Sequence, residues 1–173
     1  MEAELTHYNR LVGHLNQLVG FHRQLLDCMR AEKLAIVSAD LKSLHEATTL
    51  KQALIQSVSA IETDRQKVMN DFALLWKVSS KELVLSQVAI RMQGIDLKAG
   101  DQLRHLQNTL GILIDRIQEQ NTENKALIER SLTHLHEMKR NVLGEAQPAS
   151  QTYGQHGKNV SREPGARLIS KEA

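Results

Sequence analysis

The stretch DQLRHLQNTLGILIDRIQEQNTENKALIERSLTHLHEMKRNVL spans residues 101–143 and decides the fold of this chain. It contains no proline, and its apolar residues recur every three or four positions, which predicts one long helix with an apolar stripe. We place the N-cap of this helix at Asp101, after a break at Gly100. The stripe consists of Leu103, Leu106, Leu110, Leu113, Ile117, Leu127, Ile128, Leu132, Leu135, Met138 and Val142.

The stripe is interrupted once, at residues 118–125, where all eight side chains are polar. Asn121 and Asn124 are three positions apart and are therefore expected to share a face. Two interpretations are open. Either the helix rotates and exposes the polar run, or polar residues in the seam fix its register or leave room for a partner.

The preceding residues predict three more helices, at about 3–37, 41–78 and 80–93. The first two follow heptad patterns, and the first helix has a second apolar row beside its seam, which suits a helix touching two neighbours. The short joint at 38–40 predicts antiparallel neighbours, with Ser38 or Asp40 as N-cap, and Gly94 ends the third helix. Ser79 and Glu82 have the spacing of a capping box at the start of that third helix.

Both prolines lie beyond Gly144, at Pro148 and Pro164, so the helical part ends there. We predict an all-α, coiled-coil-like antiparallel bundle of three long helices with one short connecting helix. Residues 1–144 form the bundle domain, and residues 145–173 form a flexible C-terminal tail with one aromatic residue, Tyr153.

Composition and charge exclude several classes of function. The net charge of +2 is spread along the chain, with no basic cluster that would indicate nucleic-acid binding. No apolar run approaches the roughly 20 residues that a membrane-spanning helix needs. The N-terminus lacks the layout of a signal peptide, and the single cysteine, Cys28, fits a reducing compartment. These features predict a cytoplasmic protein.

No residues indicate catalysis, a metal or a cofactor. Nucleotide-binding and zinc motifs are absent. His134 and His136 lie about 200° apart around a helix, so they do not share a face. Cys28 falls off the heptad seam and lacks a neighbouring activator, which is typical of an ordinary thiol. We expect a protein that is not an enzyme.

The C-terminal third resembles one known family. Asn121, Asn124, Leu127 and Ile128, followed by a leucine-rich helix end, resemble the C-terminal helix of FlgN-type flagellar export chaperones. The tail is similar too, with Tyr153, Gly154 and Gly157 in the pattern Tyr-Gly-x-x-Gly and the segment Gly-Ala-Arg-Leu-Ile-Ser at 165–170. This resemblance covers roughly residues 110–173.

The resemblance implies a cytosolic chaperone that binds the C-terminal segments of hook–filament junction proteins, prevents their premature assembly and delivers them to the type III export gate. It assigns client binding to the C-terminal helix and docking on the gate protein FlhA to Tyr153, Gly154 and Gly157. An apolar groove on that helix would accept an amphipathic client segment. Its expected members are Asn121, Asn124, Leu127, Ile128, Leu132, Leu135 and Met138.

A second hypothesis is a structural coiled-coil scaffold whose apolar seam is covered by self-association. Under this hypothesis the protein is a homodimer or a larger oligomer. The polar interruption would then fix the register of the assembly. A stable oligomer without an exposed groove would favour the scaffold.

Overall fold

A computed structural model describes residues 2–143 of the chain as four helices. They are α1 (Glu2–Val37), α2 (Leu41–Trp76), α3 (Leu85–Gln93) and α4 (Leu97–Leu143). The prediction of an all-α protein with three long helices and one short helix is confirmed. The predicted tail at 145–173, and the domain boundary before it, lie outside the described residues.

Contacts between α1 and α2 show that these helices run in opposite directions. Near the start of α1, Oε1 of Glu4 accepts a hydrogen bond from Nε1 of Trp76 at 3.0 Å. Near its end, Glu32 accepts a hydrogen bond from Nζ of Lys51. The second apolar row predicted for α1, which contains Leu11, Leu18 and Leu25, is buried. The buried members of the heptad seam are Tyr8, Leu15, Val19, Leu26 and Met29, whereas Leu5 is 51% exposed.

α4 runs in the same direction as α1. Tyr8 donates a hydrogen bond to Oε1 of Gln102 at 2.7 Å near the start of both helices. Further along, Nζ of Lys33 lies 2.7 Å from a carboxylate oxygen of Glu123. α1 therefore contacts α2 on one side and α4 on another, as its wide apolar face requires.

The turn between α1 and α2 is built as the sequence predicts. The carboxylate of Asp40 accepts hydrogen bonds from the backbone N–H groups of Lys42 and Ser43, at 3.0 and 3.1 Å. Ala39 adopts a left-handed conformation with φ of 54°, which lets the chain reverse within three residues. The N-cap prediction for Asp40 is confirmed.

The predicted start of α3 is wrong. The helix begins at Leu85, and the N–H groups of Glu82 and Leu83 both bond to the carbonyl of Ser79 in a turn. Leu83 is buried in the core, so the chain is held against the bundle before the helix can begin. Gln87, rather than Glu82, reaches back to a backbone N–H, that of Val84 at 3.4 Å.

The predicted start of α4 is also wrong, by four residues. The helix begins at Leu97, where the carboxylate of Asp96 accepts a hydrogen bond from the N–H of Lys98 at 3.0 Å. Gly100 lies inside the helix, where a Cβ atom would come within 2.6 Å of Cβ of Gln93. Glycine is required there for the close crossing of α3 and α4, and not to break the helix.

The chain forms two compact units, with the division after Ser131. The first unit contains α1, α2, α3 and α4 as far as Ser131. The described part of the second unit is the rest of α4. Within residues 2–143 no helix is long and apolar enough to cross a membrane.

Candidate functional site

The polar segment of α4 does not simply turn toward solvent, because Asn124 is buried with 2% of its surface exposed. Its Nδ2 atom donates one hydrogen bond to the backbone carbonyl of Met29 at 2.9 Å and one to Oε2 of Glu32 at 2.8 Å. Its Oδ1 atom accepts a hydrogen bond from Nε2 of Gln120 at 3.0 Å. Both polar atoms of the side-chain amide are thus used within the first unit.

The partner of Asn124, Glu32, is a carboxylate with only 4% of its surface exposed. A buried carboxylate is costly unless it is paired and hydrogen-bonded. Here one oxygen accepts from Asn124 of α4, and the other pairs with Nζ of Lys51 of α2. Three helices therefore meet in one polar network, which we call the Glu32 network (Glu32, Lys51, Asn124 and Gln120).

The sequence pattern does not reveal this network. A lysine in a heptad seam is expected to lay its stem on the core with its charge in water, but the ammonium group of Lys51 binds Glu32. Glu32 does not stand out in the pattern at all. In the sequence, Glu32 is simply a carboxylate that precedes Lys33, and Lys33 occupies a heptad-seam position of α1.

Cys28 lies next to the Glu32 network and is buried, although it falls off the heptad seam of α1. Its thiol donates a hydrogen bond to the backbone carbonyl of Ala47 at 3.1 Å, and it packs in a small core with Leu25, Met29 and Leu54. Burial, followed by the negative charge of Glu32, raises the pKa of the Cys28 thiol. A raised pKa disfavours the reactive thiolate.

An ion pair lies on the exposed side of the same network. Lys33 of α1 donates a hydrogen bond to a carboxylate oxygen of Glu123 at 2.7 Å, and this bond lowers the pKa of Glu123. Both side chains are partly in water, so the pair adds little stability on its own. Together with Asn124 it fixes the register of α4 along α1.

Asn121 does not join Asn124. Its side chain is exposed, whereas that of Asn124 is buried, so the two asparagines have different surroundings. Contact of either residue with a client stays a prediction. Of the two interpretations of the polar interruption, these contacts favour polar residues that fix the register of the seam.

The apolar residues after the polar segment are increasingly exposed. In the first unit, Leu127 is half-buried and Ile128 is 39% exposed. In the second unit, Leu132, Leu135 and Met138 are 51%, 60% and 50% exposed. Their spacing of three residues places the last three within about 120° around the helix. The apolar stripe predicted for this helix therefore continues beyond the polar segment, but its side chains there face solvent.

The other predicted docking residues, Tyr153, Gly154 and Gly157, lie outside the described residues. Within the described part of the chain, no group of three or more histidine, cysteine, aspartate or glutamate side chains is arranged to hold a metal ion.

Comparison with known proteins decides the family. A family model described as FlgN protein matches residues 1–161. The chain belongs to the FlgN family. The match includes α1, α2 and α3, where the sequence pattern alone was that of any helical bundle. No curated protein and no solved structure matches the chain.

Membership in the FlgN family gives this protein a general role, that of a flagellar export chaperone. It implies binding to flagellar export substrates in general. The family is a chaperone family and is not known for enzymatic activity.

Proposed function

We propose that this protein is the cytoplasmic chaperone of hook–filament junction proteins, and that it binds their C-terminal segments through the exposed end of α4. The observation that carries this proposal is the exposure of Leu132, Leu135 and Met138, each of which keeps at least half of its surface in water. Apolar side chains repeated on one helix face usually pack against another helix.

The chemistry of such a client suits this surface. A segment that packs into a helical assembly has an apolar face that must be covered before assembly. Residues 132, 135 and 138 of the second unit provide apolar contact area at helical spacing. Leu127 and Ile128 of the first unit stay client contacts predicted from the family resemblance. Asn121 adds an exposed amide that is available to polar groups of the client.

In this proposal the main role of Asn124 is to stabilise the first unit. Its amide is engaged by Met29, Glu32 and Gln120, so it holds α4 in register. Direct contact between Asn124 and a client stays a prediction from the family resemblance. The same holds for Tyr153, Gly154 and Gly157, which we propose as the docking element for the export gate protein FlhA.

Titration calorimetry with purified hook–filament junction proteins tests the client. We expect a one-to-one complex, and we expect Leu132→Asp to weaken it by about tenfold or more, because a charge replaces a buried apolar contact. His134→Asp is the matched control, since it introduces the same charge about 200° around the helix from Leu132.

Two results would overturn the proposal. The absence of binding to every junction protein would remove the proposed client. An equal loss of affinity in His134→Asp and Leu132→Asp would show that the apolar stripe does not carry the binding.

A further inference from the structure

The first unit contains a groove that shares no residue with the client surface proposed above. Its volume is about 980 Å³, and its walls come from α1, α2, α4 and the turn before α3. None of the residues at 127–138 that we propose for client binding lines it. The groove is thus a separate feature of the helix bundle.

Each long helix presents one face to this groove. α4 contributes Gln107, Leu110, Gly111 and Ile114, whose spacing of three, four and seven residues defines a single helical face. Leu15 and Leu18 of α1 form the floor of the groove, between walls from α2 and α4. This arrangement resembles a four-helix bundle with its fourth position open.

The dimensions of the groove fit a helix. An α-helix has a diameter of about 10–12 Å with its side chains, so a volume of this size corresponds to about two helical turns. Gly111 lies in the wall, and a Cβ atom there would meet no atom within 4 Å. A small residue in a wall allows a packed helix to approach closely. Val84 and Ile114, which are 51% and 40% exposed, provide apolar rims.

The charges around the groove select the occupant. Arg65 and Glu62 form an ion pair with each other, with N–O distances of 2.8 and 2.6 Å, and so neutralise one another. Lys81 is exposed at the rim, and none of the ion pairs found in residues 2–143 includes it. Among the described residues that line the groove, Lys81 is thus the charged side chain outside any ion pair, which favours an acidic group on the partner.

The other available occupants carry charge of the same sign. Residues 144–173 contain four Lys and Arg residues against three Asp and Glu residues, a net charge of +1. The end of α4 at 129–143, one exposed segment of a second copy, contains three Lys and Arg residues against two Asp and Glu residues, again a net charge of +1. Neither segment complements Lys81.

We propose that this groove docks one amphipathic helix of a partner protein, with an apolar face of at least about two turns and an acidic residue opposite Lys81. The helix completes a four-helix bundle with α1, α2 and α4. This site is independent of the client surface at Leu132, Leu135 and Met138.

The test uses the full chain and two synthetic helical peptides. Each peptide is about 18 residues long, because shorter helices are marginal in water. Both have leucine on one face, and they differ only in glutamate or lysine residues flanking that face. Titration calorimetry should show one-to-one binding that is about tenfold or more tighter for the glutamate peptide.

Two pairs of variants locate the binding. Gly111→Leu fills the groove and should weaken binding by about tenfold or more. Gly20→Leu is the control, because a Cβ at Gly20 also meets no atom within 4 Å and Gly20 does not line the groove. Lys81→Glu should reverse the preference between the peptides, whereas Lys98→Glu should not.

Several outcomes would overturn this proposal. One is that neither peptide binds at all in calorimetry. Others are that Gly111→Leu and Gly20→Leu weaken peptide binding equally, or that Leu132→Asp abolishes it. A dimer in sedimentation that Gly111→Leu dissociates would make a second copy the occupant. Tighter peptide binding in Leu168→Asp would make the chain's own tail the occupant.

Discussion

Asn124 of α4 donates a hydrogen bond to Glu32 of α1 at 2.8 Å, although 92 positions separate the two residues in the chain. The bond connects the polar interruption in the apolar stripe of α4 to a buried carboxylate of α1. Since Lys51 of α2 holds the second oxygen of Glu32, this single carboxylate joins the three long helices. The register of α4 is therefore set by hydrogen bonding as well as by apolar packing.

Replacement of Asn124 should destabilise the fold. Asn124→Ala removes three hydrogen bonds and leaves a buried carboxylate oxygen without its donor, at a cost of about 1–3 kcal/mol in the free energy of unfolding. Urea unfolding followed by circular dichroism measures this loss. Asn121→Ala is the control, because Asn121 is exposed and its change should have little effect. Equal losses in both variants would contradict the role of the Glu32 network.

Two glycines of α4 should respond to alanine with opposite signs. Gly100→Ala places Cβ within 2.6 Å of Gln93 and 2.8 Å of the carbonyl of Ala89, so α3 must move away, at a cost of about 1–3 kcal/mol. Gly111→Ala meets open space and should stabilise the helix by about 1 kcal/mol. Thermal unfolding of the two variants compares them directly. A stabilising effect of Gly100→Ala would show that α3 and α4 do not cross closely.

The N-cap of α2 should make part of the stability depend on pH. The hydrogen bonds from Ser43 lower the pKa of Asp40 below its ordinary value of 3.8. A carboxyl whose pKa is lower in the folded state contributes stability above its unfolded pKa and loses it as the pH falls through the folded value. Asp40→Asn keeps a capping side chain but does not titrate.

Unfolding of the wild type and of Asp40→Asn should therefore be compared at about pH 7 and about pH 3. On going to the lower pH, the wild type should lose more stability than Asp40→Asn does, because only the wild type loses the contribution of the ionised Asp40. A difference that is constant with pH would mean that Asp40 does not titrate differently in the folded state.

Cys28 should be protected from thiol reagents in the folded protein. Its side chain is buried, its pKa is raised, and its thiol is bonded to the carbonyl of Ala47. We expect slow labelling by a disulfide reagent in buffer and rapid labelling in denaturant, read by absorbance. Rapid labelling without denaturant would show that the C-terminal end of α1 and the N-terminal end of α2 separate readily.

The proposed gate-docking and client-binding residues should be separable. Tyr153→Ala should reduce export of the junction proteins without changing their affinity for the chaperone, because Tyr153 contacts the gate in our proposal. Export is measured in cells by the junction protein found outside them, and affinity by calorimetry. An equal loss of client affinity in Tyr153→Ala and Leu132→Asp would contradict two separate sites.

The sequence determined the helices themselves. Absence of proline before Pro148 and heptad spacing fixed three long helices, since both depend only on neighbours within about two turns. The cap at Asp40 was also predictable, because a capping side chain bonds to amides two and three residues away. The segment from Asn121 to Ile128 was identified separately, by its resemblance to the FlgN family.

Tertiary structure alone decided which polar residues enter the core and where α3 and α4 begin. Asn121 and Asn124 are equivalent by local pattern, but only Asn124 meets a carboxylate from another helix. Gly100 has the local character of a helix break, but the nearness of Gln93 and Ala89 gives it a packing role. Burial of Leu83 likewise delays α3 beyond the Ser79 capping pattern. In each case the deciding free energy comes from residues distant in sequence or on another helix, which a local pattern does not contain.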